Sequence, residues 1–469
     1  MSHPTLHNPA AILAYIKAGF PLRHFRFQHW TGILLCTLGL TALLTFPLHA
    51  QELSLSAALE RASTQATELQ RLQQQQQLAQ ATYTRSAQAY LPRISAESTW
   101  IRADADALEH IPSLNLRATP PVTTSDYGPI EGIVSGINIL QPLIHMEGWM
   151  GRAQAGAAAR ARAATTEWGA QMLILKTAQV YFGVHIQGAV LHAAQQALSA
   201  ARQALESARA NYSEGLVSKL DVSRARAEAH RAQARVYGAE AEVHKAKNEL
   251  ASLLGLNPTE AIMVTTPLPH PLPPTEYPLP QQQRADIAAR ELMAESASAG
   301  VDKARARIIP KVNLLARQQW VNGDAALEDN GDAWLVGVNL EWYLFEGLNR
   351  RGEIAEAKAQ AELARVEITE KKRAAGAQQH NSLNDWVASW KAWEASRTAA
   401  ESAVTAADLA ARRYTEGLGN LTDVLHTRAE LFQRQVDASR YQYHALLAGM
   451  SYYLHHGYNP VQGLPPKLR

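Results

Sequence analysis

The sequence predicts a mainly α-helical body with a small β part, built as two copies of one helix–strand–strand–helix–hairpin–helix unit. Three observations carry this. Tyr212 to Glu228, YSEGLVSKLDVSRARAE, returns as Tyr414 to Glu430, YTEGLGNLTDVLHTRAE. Long Ala-rich stretches without proline flank both copies, and each half also holds two short segments of alternating polarity.

In chain order, the first fifty residues carry Lys17, Arg23 and Arg26 and no acid, followed by the apolar run Thr31 to Phe46 and Pro47-Leu48-His49-Ala50. This reads as a secretory signal peptide cut near Ala50, the apolar run being short for a spanning helix, with an N-terminal membrane anchor as the alternative. The chain has 45 basic and 43 acidic residues; without the leader it has 42 against 43, and no charge excess points to nucleic acid. The single cysteine, Cys36, lies in the leader, so the remainder has no disulfide, thiol chemistry or thiolate metal site.

Residues 51–264 form the first repeat. Its pattern predicts one amphipathic helix from Leu53 to Tyr90, ended by Leu91-Pro92. A strand with Ile94, Ala96, Ser98 and Trp100 on one face follows, then a polar loop from Ala103 to Glu131 and a second strand from Ile133 to Leu143. The helical pattern runs from Glu147 to the Tyr212 turn, about 100 Å at 1.5 Å per residue, and returns from Leu220 to Leu254. Residues 265–280, rich in proline, read as an extended, exposed connector.

The second repeat, 281–455, has the same order: helix from Gln281 to Arg307, strands from Pro310 to Trp320 and Trp334 to Leu344, helix to Arg413, hairpin, helix to His455. Residues 456–469 remain as a tail. The halves align at Leu91-Pro92-Arg93-Ile94 with Ile309-Pro310-Lys311-Val312, and at Gly136-Ile137-Asn138-Ile139 with Gly337-Val338-Asn339-Leu340. Trp334, Val336, Val338, Leu340, Trp342 and Leu344 share one strand face, a pattern that fits a membrane strand with an aromatic girdle or a half-buried soluble strand. A bilayer accepts only closed barrels of about eight strands or more, so four spanning strands would require several copies.

At the hairpins, Gly215 and Gly417 suit a left-handed helix stop, and Ser218 and Asn420, each three residues ahead of Asp221 or Asp423, read as N-caps. Trp386, Trp390 and Trp393 form a packing stripe, and His455-His456 an ordinary surface pair. No catalytic constellation, cofactor motif or metal-ligand spacing is present.

In order and spacing these features resemble the TolC family of outer-membrane efflux proteins over roughly Glu52 to His455, including Gln141-Pro142-Leu143, Tyr343-Leu344-Phe345-Glu346-Gly347 and both Tyr-x-Glu-Gly-Leu hairpins. The resemblance implies a homotrimer in the outer membrane of a Gram-negative bacterium. Its three chains would share a twelve-stranded β-barrel, with a long α-helical barrel extending into the periplasm. It implies a passive, non-enzymatic exit duct with porin activity, fed by an inner-membrane transporter and a periplasmic adaptor for efflux or type I secretion. By position, Gly215, Leu216, Gly417 and Leu418 would be adaptor-contact tips. Asp423 would be a gate carboxylate, with His426, Asp221 and Tyr414 completing the gate set. His426 stands where some members carry a second acid, which allows a weaker, pH-dependent constriction. The alternative is a periplasmic structural or adaptor-type coiled-coil protein.

Overall fold

The computed structural model describes residues 51–103, 130–257, 262–274, 279–280, 282–323 and 331–468. The leader and most of the two strand-connecting loops lie outside them.

The expected first helix is two, α1 (Leu55–Gln65) and α2 (Thr67–Arg85), with a 3₁₀ turn at Ser86–Ala89. The break falls at Ala66, buried and extended (φ −63°, ψ 127°). Just ahead of it, the Ser63 and Thr64 hydroxyls both donate to the Glu60 carbonyl, local bonds that compete with helix propagation. No proline or glycine marks this stop.

Four antiparallel strands follow the order β2 (Arg93–Ala103), β3 (Ile130–Ile144), β5 (Lys311–Gly323), β6 (Gly331–Glu341). The two hairpins have equivalent registers, Ile94 opposite Ile139 and Val312 opposite Leu340. One face carries Ile94, Ile137, Ile139, Val336, Val338 and Leu340, with Trp100, Trp320 and Trp334 toward one end. The other is polar: Glu97 accepts from Asn138 Nδ2 (2.9 Å) and Arg317 Nη2 (3.0 Å). β6 ends earlier than expected, because Trp342 leaves the ladder and its Nε1 donates to the Ile308 carbonyl. β2 and β6 are edge strands, so one chain presents an open sheet with unpaired backbone on both sides.

Two long helices, α3 (Met146–Ser213, 68 residues) and α6 (Asn349–Thr415, 67 residues), run from the sheet to the hairpins. Each is about 100 Å long. Their return partners are α4 (Lys219–Leu253) and α7 (Leu421–His455). Beyond the end of α7, α5 (Ala285–Ala306) packs between α3 and α6, while α2 packs on α3. Among the described residues no helix is long and apolar enough to cross a membrane.

The core lies at the middle of the long helices, around Leu55, Tyr181, Phe182, Leu250, Leu254, Leu446, Met450 and Leu464. The connector is extended as expected, but it is tied down rather than exposed throughout. A parallel pair, β1 (Gln51–Leu53) with β4 (Ile262–Val264), opens it. Tyr181 Oη donates to the Leu53 carbonyl and accepts from Thr266 N–H, and Gln442 Nε2 donates to the Leu268 and Pro269 carbonyls. The C-terminal residues also join the core: Leu464 is fully buried, and Gly463 lies so close to Met450 that a Cβ would sit 2.6 Å from its backbone.

Trp386 of the expected packing stripe is buried against Tyr452 (ring centroids 5.1 Å apart), and Trp393 meets His270 of the connector. Of the expected surface pair, His456 is buried and His455 half-buried. His456 is buried with Nδ1 2.9 Å from the Tyr452 carbonyl oxygen. Burial, then nearby Arg284 and His456, lower the pKa of His455. Arg284, itself buried, holds Asp286 in two bonds of 2.8 and 3.0 Å. Sequence periodicity could not separate this face from solvent, because the burying groups come from the distant residues 279–286.

Candidate functional site at the two hairpin tips

Both tips stop a long helix by the same backbone device. Gly215 (φ 77°) and Gly417 (φ 75°) take the left-handed conformation, with open space where a side chain would stand. Leu216 N–H reaches the Asn211 carbonyl and Leu418 N–H the Arg413 carbonyl, each at 2.8 Å. Gly215 and Gly417 N–H donate to the Tyr212 and Tyr414 carbonyls. This pair of bonds satisfies carbonyls that a helix end leaves free. It also projects Leu216 and Leu418 outward, 70% and 68% exposed.

The next helices start differently. Ser218 Oγ accepts from Asp221 N–H (3.3 Å), while Asp221 Oδ2 accepts from Ser218 N–H (3.1 Å) and Oγ–H (2.7 Å), a complete capping box. The Ser218 hydroxyl, its backbone N–H and then Arg224 lower the pKa of Asp221. At the second tip Asn420 Oδ1 accepts from Asp423 N–H (2.8 Å), with no return bond. The exposed Asp423 carboxylate has no hydrogen-bond or ion-pair partner among the described residues, and His426 is exposed one turn on.

The tyrosines part as well. Tyr212 is 48% exposed, whereas Tyr414 is 9% exposed and packs with Ala208, Val222, Ala225, Leu421 and Val424. Its ring joins the second hairpin to the first, and its hydroxyl has no partner. Periodicity gave no signal for Ala208, Val222 and Ala225 as its socket, since they lie on the other repeat. Among the described residues no group of His, Cys, Asp or Glu could hold a metal. The tips present the apolar Leu216 and Leu418 beside the exposed acids Glu214, Glu416 and Asp423.

The family model for outer membrane efflux proteins matches residues 58–256 and 277–450. The chain belongs to that family. It is an outer-membrane efflux channel of the TolC type, and not an enzyme. No curated protein matches it. Among solved structures, VceC of Vibrio cholerae aligns at 21% identity over 86% of this chain and 96% of its own, with a TM-score of 0.71. CmeC of Campylobacter jejuni aligns at 15% identity over 88% and 90%, TM-score 0.72. The open state of MtrE from Neisseria gonorrhoeae aligns at 18% identity over 86% and 89%, TM-score 0.67.

Proposed function

We propose that three copies of this channel close into one exit duct. The four-stranded sheets would join edge to edge as a twelve-stranded barrel, and the hairpins would surround a periplasmic entrance served by an adaptor and an inner-membrane transporter. The open sheet supports the assembly: a sheet with two free edges cannot sit in hydrocarbon until another copy pairs them. The exposed Leu216 and Leu418, held out by the two glycine stops, supply apolar contacts for the adaptor.

Within the entrance, Asp423 is the gate carboxylate, repeated three times about the axis, with His426 beside it. Asp221 shares the sequence position but spends its oxygens on the capping box, and Tyr414 holds the two hairpins together rather than lining the passage. The observation that carries the assignment is the unpartnered Asp423 carboxylate at an exposed tip. In planar bilayers Asp423→Ala should raise conductance or weaken cation block, and His426→Asp should strengthen cation block. Unchanged conductance and block in both variants would remove this ring from the mechanism.

A further inference from the structure

Midway along the long helices, on the side away from the connector, an open polar bay lies between α3 and α6 with α7 as its floor. We propose that this bay binds organic cations in transit, with Asp385 as the counter-charge. This rests on the duct reading and adds what the duct wall holds.

Which side of the wall carries the bay follows from what covers the other side. Leu446 and Met450 of α7 pack beneath the connector and the C-terminal residues, against Leu268 and Leu464. An open duct cannot hold those segments in its interior, so they mark its outer side. Tyr441, His444, Ser451 and His455 lie about half a turn round the same helix, and all four line the bay. Asn381, Asp385 and Ser389 of α6, one turn apart, form one wall, and Gln179 of α3 stands on the other. The space they enclose is about 810 Å³, room for a molecule of drug size.

The lining favours a positive guest. Asp385 is its one carboxylate, exposed and without a hydrogen bond or ion pair among the described residues. No lysine or arginine lines the bay. Arg284 is buried nearby, but Asp286 meets its charge at 2.8 Å. His455 is kept uncharged near neutral pH by burial, then by Arg284 and His456, against the weaker pull of Asp286 and Asp385. Tyr441, 42% exposed, offers a ring face to a cation. The side chains of Asn381, Ser389 and Ser451 make no hydrogen bond within the described residues and are free to meet a guest's polar groups. A bare metal ion does not suit the bay, since among the described residues no three His, Cys, Asp or Glu come together to hold one.

Fluorescence titration of the purified full chain with ethidium, an organic cation, and fluorescein, an anion, tests the site. Ethidium should bind saturably and fluorescein should not. Asp385→Asn should weaken ethidium binding about fivefold, and Asp385→Glu should keep it. Ser389→Trp, which fills the bay and leaves the charge in place, should weaken it as well. Asp408→Asn removes an exposed acid nearer the hairpin and outside the bay, and should change nothing. Unaltered affinity in both Asp385→Asn and Ser389→Trp, an equal loss in Asp408→Asn, or comparable binding of fluorescein would overturn the site. In planar bilayers ethidium should block the current of the parent and block that of Asp385→Asn less. Conducting channels that bind ethidium through Asp385 without being blocked would take the bay off the passage and overturn its role in transit. Binding that depends on Asp385 in a chain that forms no conducting channel would sink the duct reading and leave the site standing.

Discussion

Tyr212 and Tyr414 occupy the same position of two equivalent turns, yet one is half exposed and the other is buried between two hairpins. Asp221 and Asp423 divide the same way, one engaged by Ser218 and the other free. The backbones agree because both stops obey the same local chemistry. The side chains differ because the repeats are laid side by side, so only the second hairpin has a predecessor within the chain to pack against. Duplication thus conserves the turn and leaves its surroundings to diverge.

The strongest way to break this comparison is Tyr414→Ala. Emptying its buried socket should cost about 3 kcal/mol of local stability, read as faster amide exchange across residues 204–225 and 408–425. Tyr414→Phe should be nearly neutral, since the hydroxyl it removes is buried without a partner. Equal losses from both variants would mean the hydroxyl, not the ring, holds the joint.

Gly215→Ala and Gly417→Ala should each cost about 1 kcal/mol, because both need positive φ. Clearly unequal costs in the same exchange measurement would show that the two stops are not equivalent after all.

Smaller, but one-sided, is the effect of the capping box. Ser218→Ala should loosen the first turn of α4 by about 1 kcal/mol. Acid should act there too. The carboxyl of Asp221 has a lowered pKa in the folded state, so its contribution is full above the unfolded carboxylate range, near 4, and is lost as pH falls through the lower folded value. Exchange at the start of α4 should therefore rise on acidification within that window, and Asp221→Asn should remove this dependence. Least of all in stability, Asp423→Ala should leave the start of α7 within about 0.5 kcal/mol of the parent, because Asn420 keeps the cap. A large stability loss would make Asp423 a structural residue rather than a gate.

Much of this was legible in residue order. The glycine stops, both caps, the proline that precedes each first strand and the long proline-free helices are local signals, and each stands where the pattern put it. The break at Ala66 was not legible, since only the Ser63 and Thr64 hydroxyls hint at it. Nor were the β1–β4 pair, the buried His456 or the half-buried His455, since the strand partner, Gln282 and Arg284 that meet them are remote in sequence.

The sequence by itself determined the repeat, its helical hairpins and the alternating strands, because those depend on backbone conformation and on spacing along one element. Only the tertiary structure decided which of two equal tyrosines is buried, which of two equal acids is free and which sheet edges stay open. Those depend on what the second repeat finds beside it, and a sequence copied twice carries no local mark of which copy will have a neighbour.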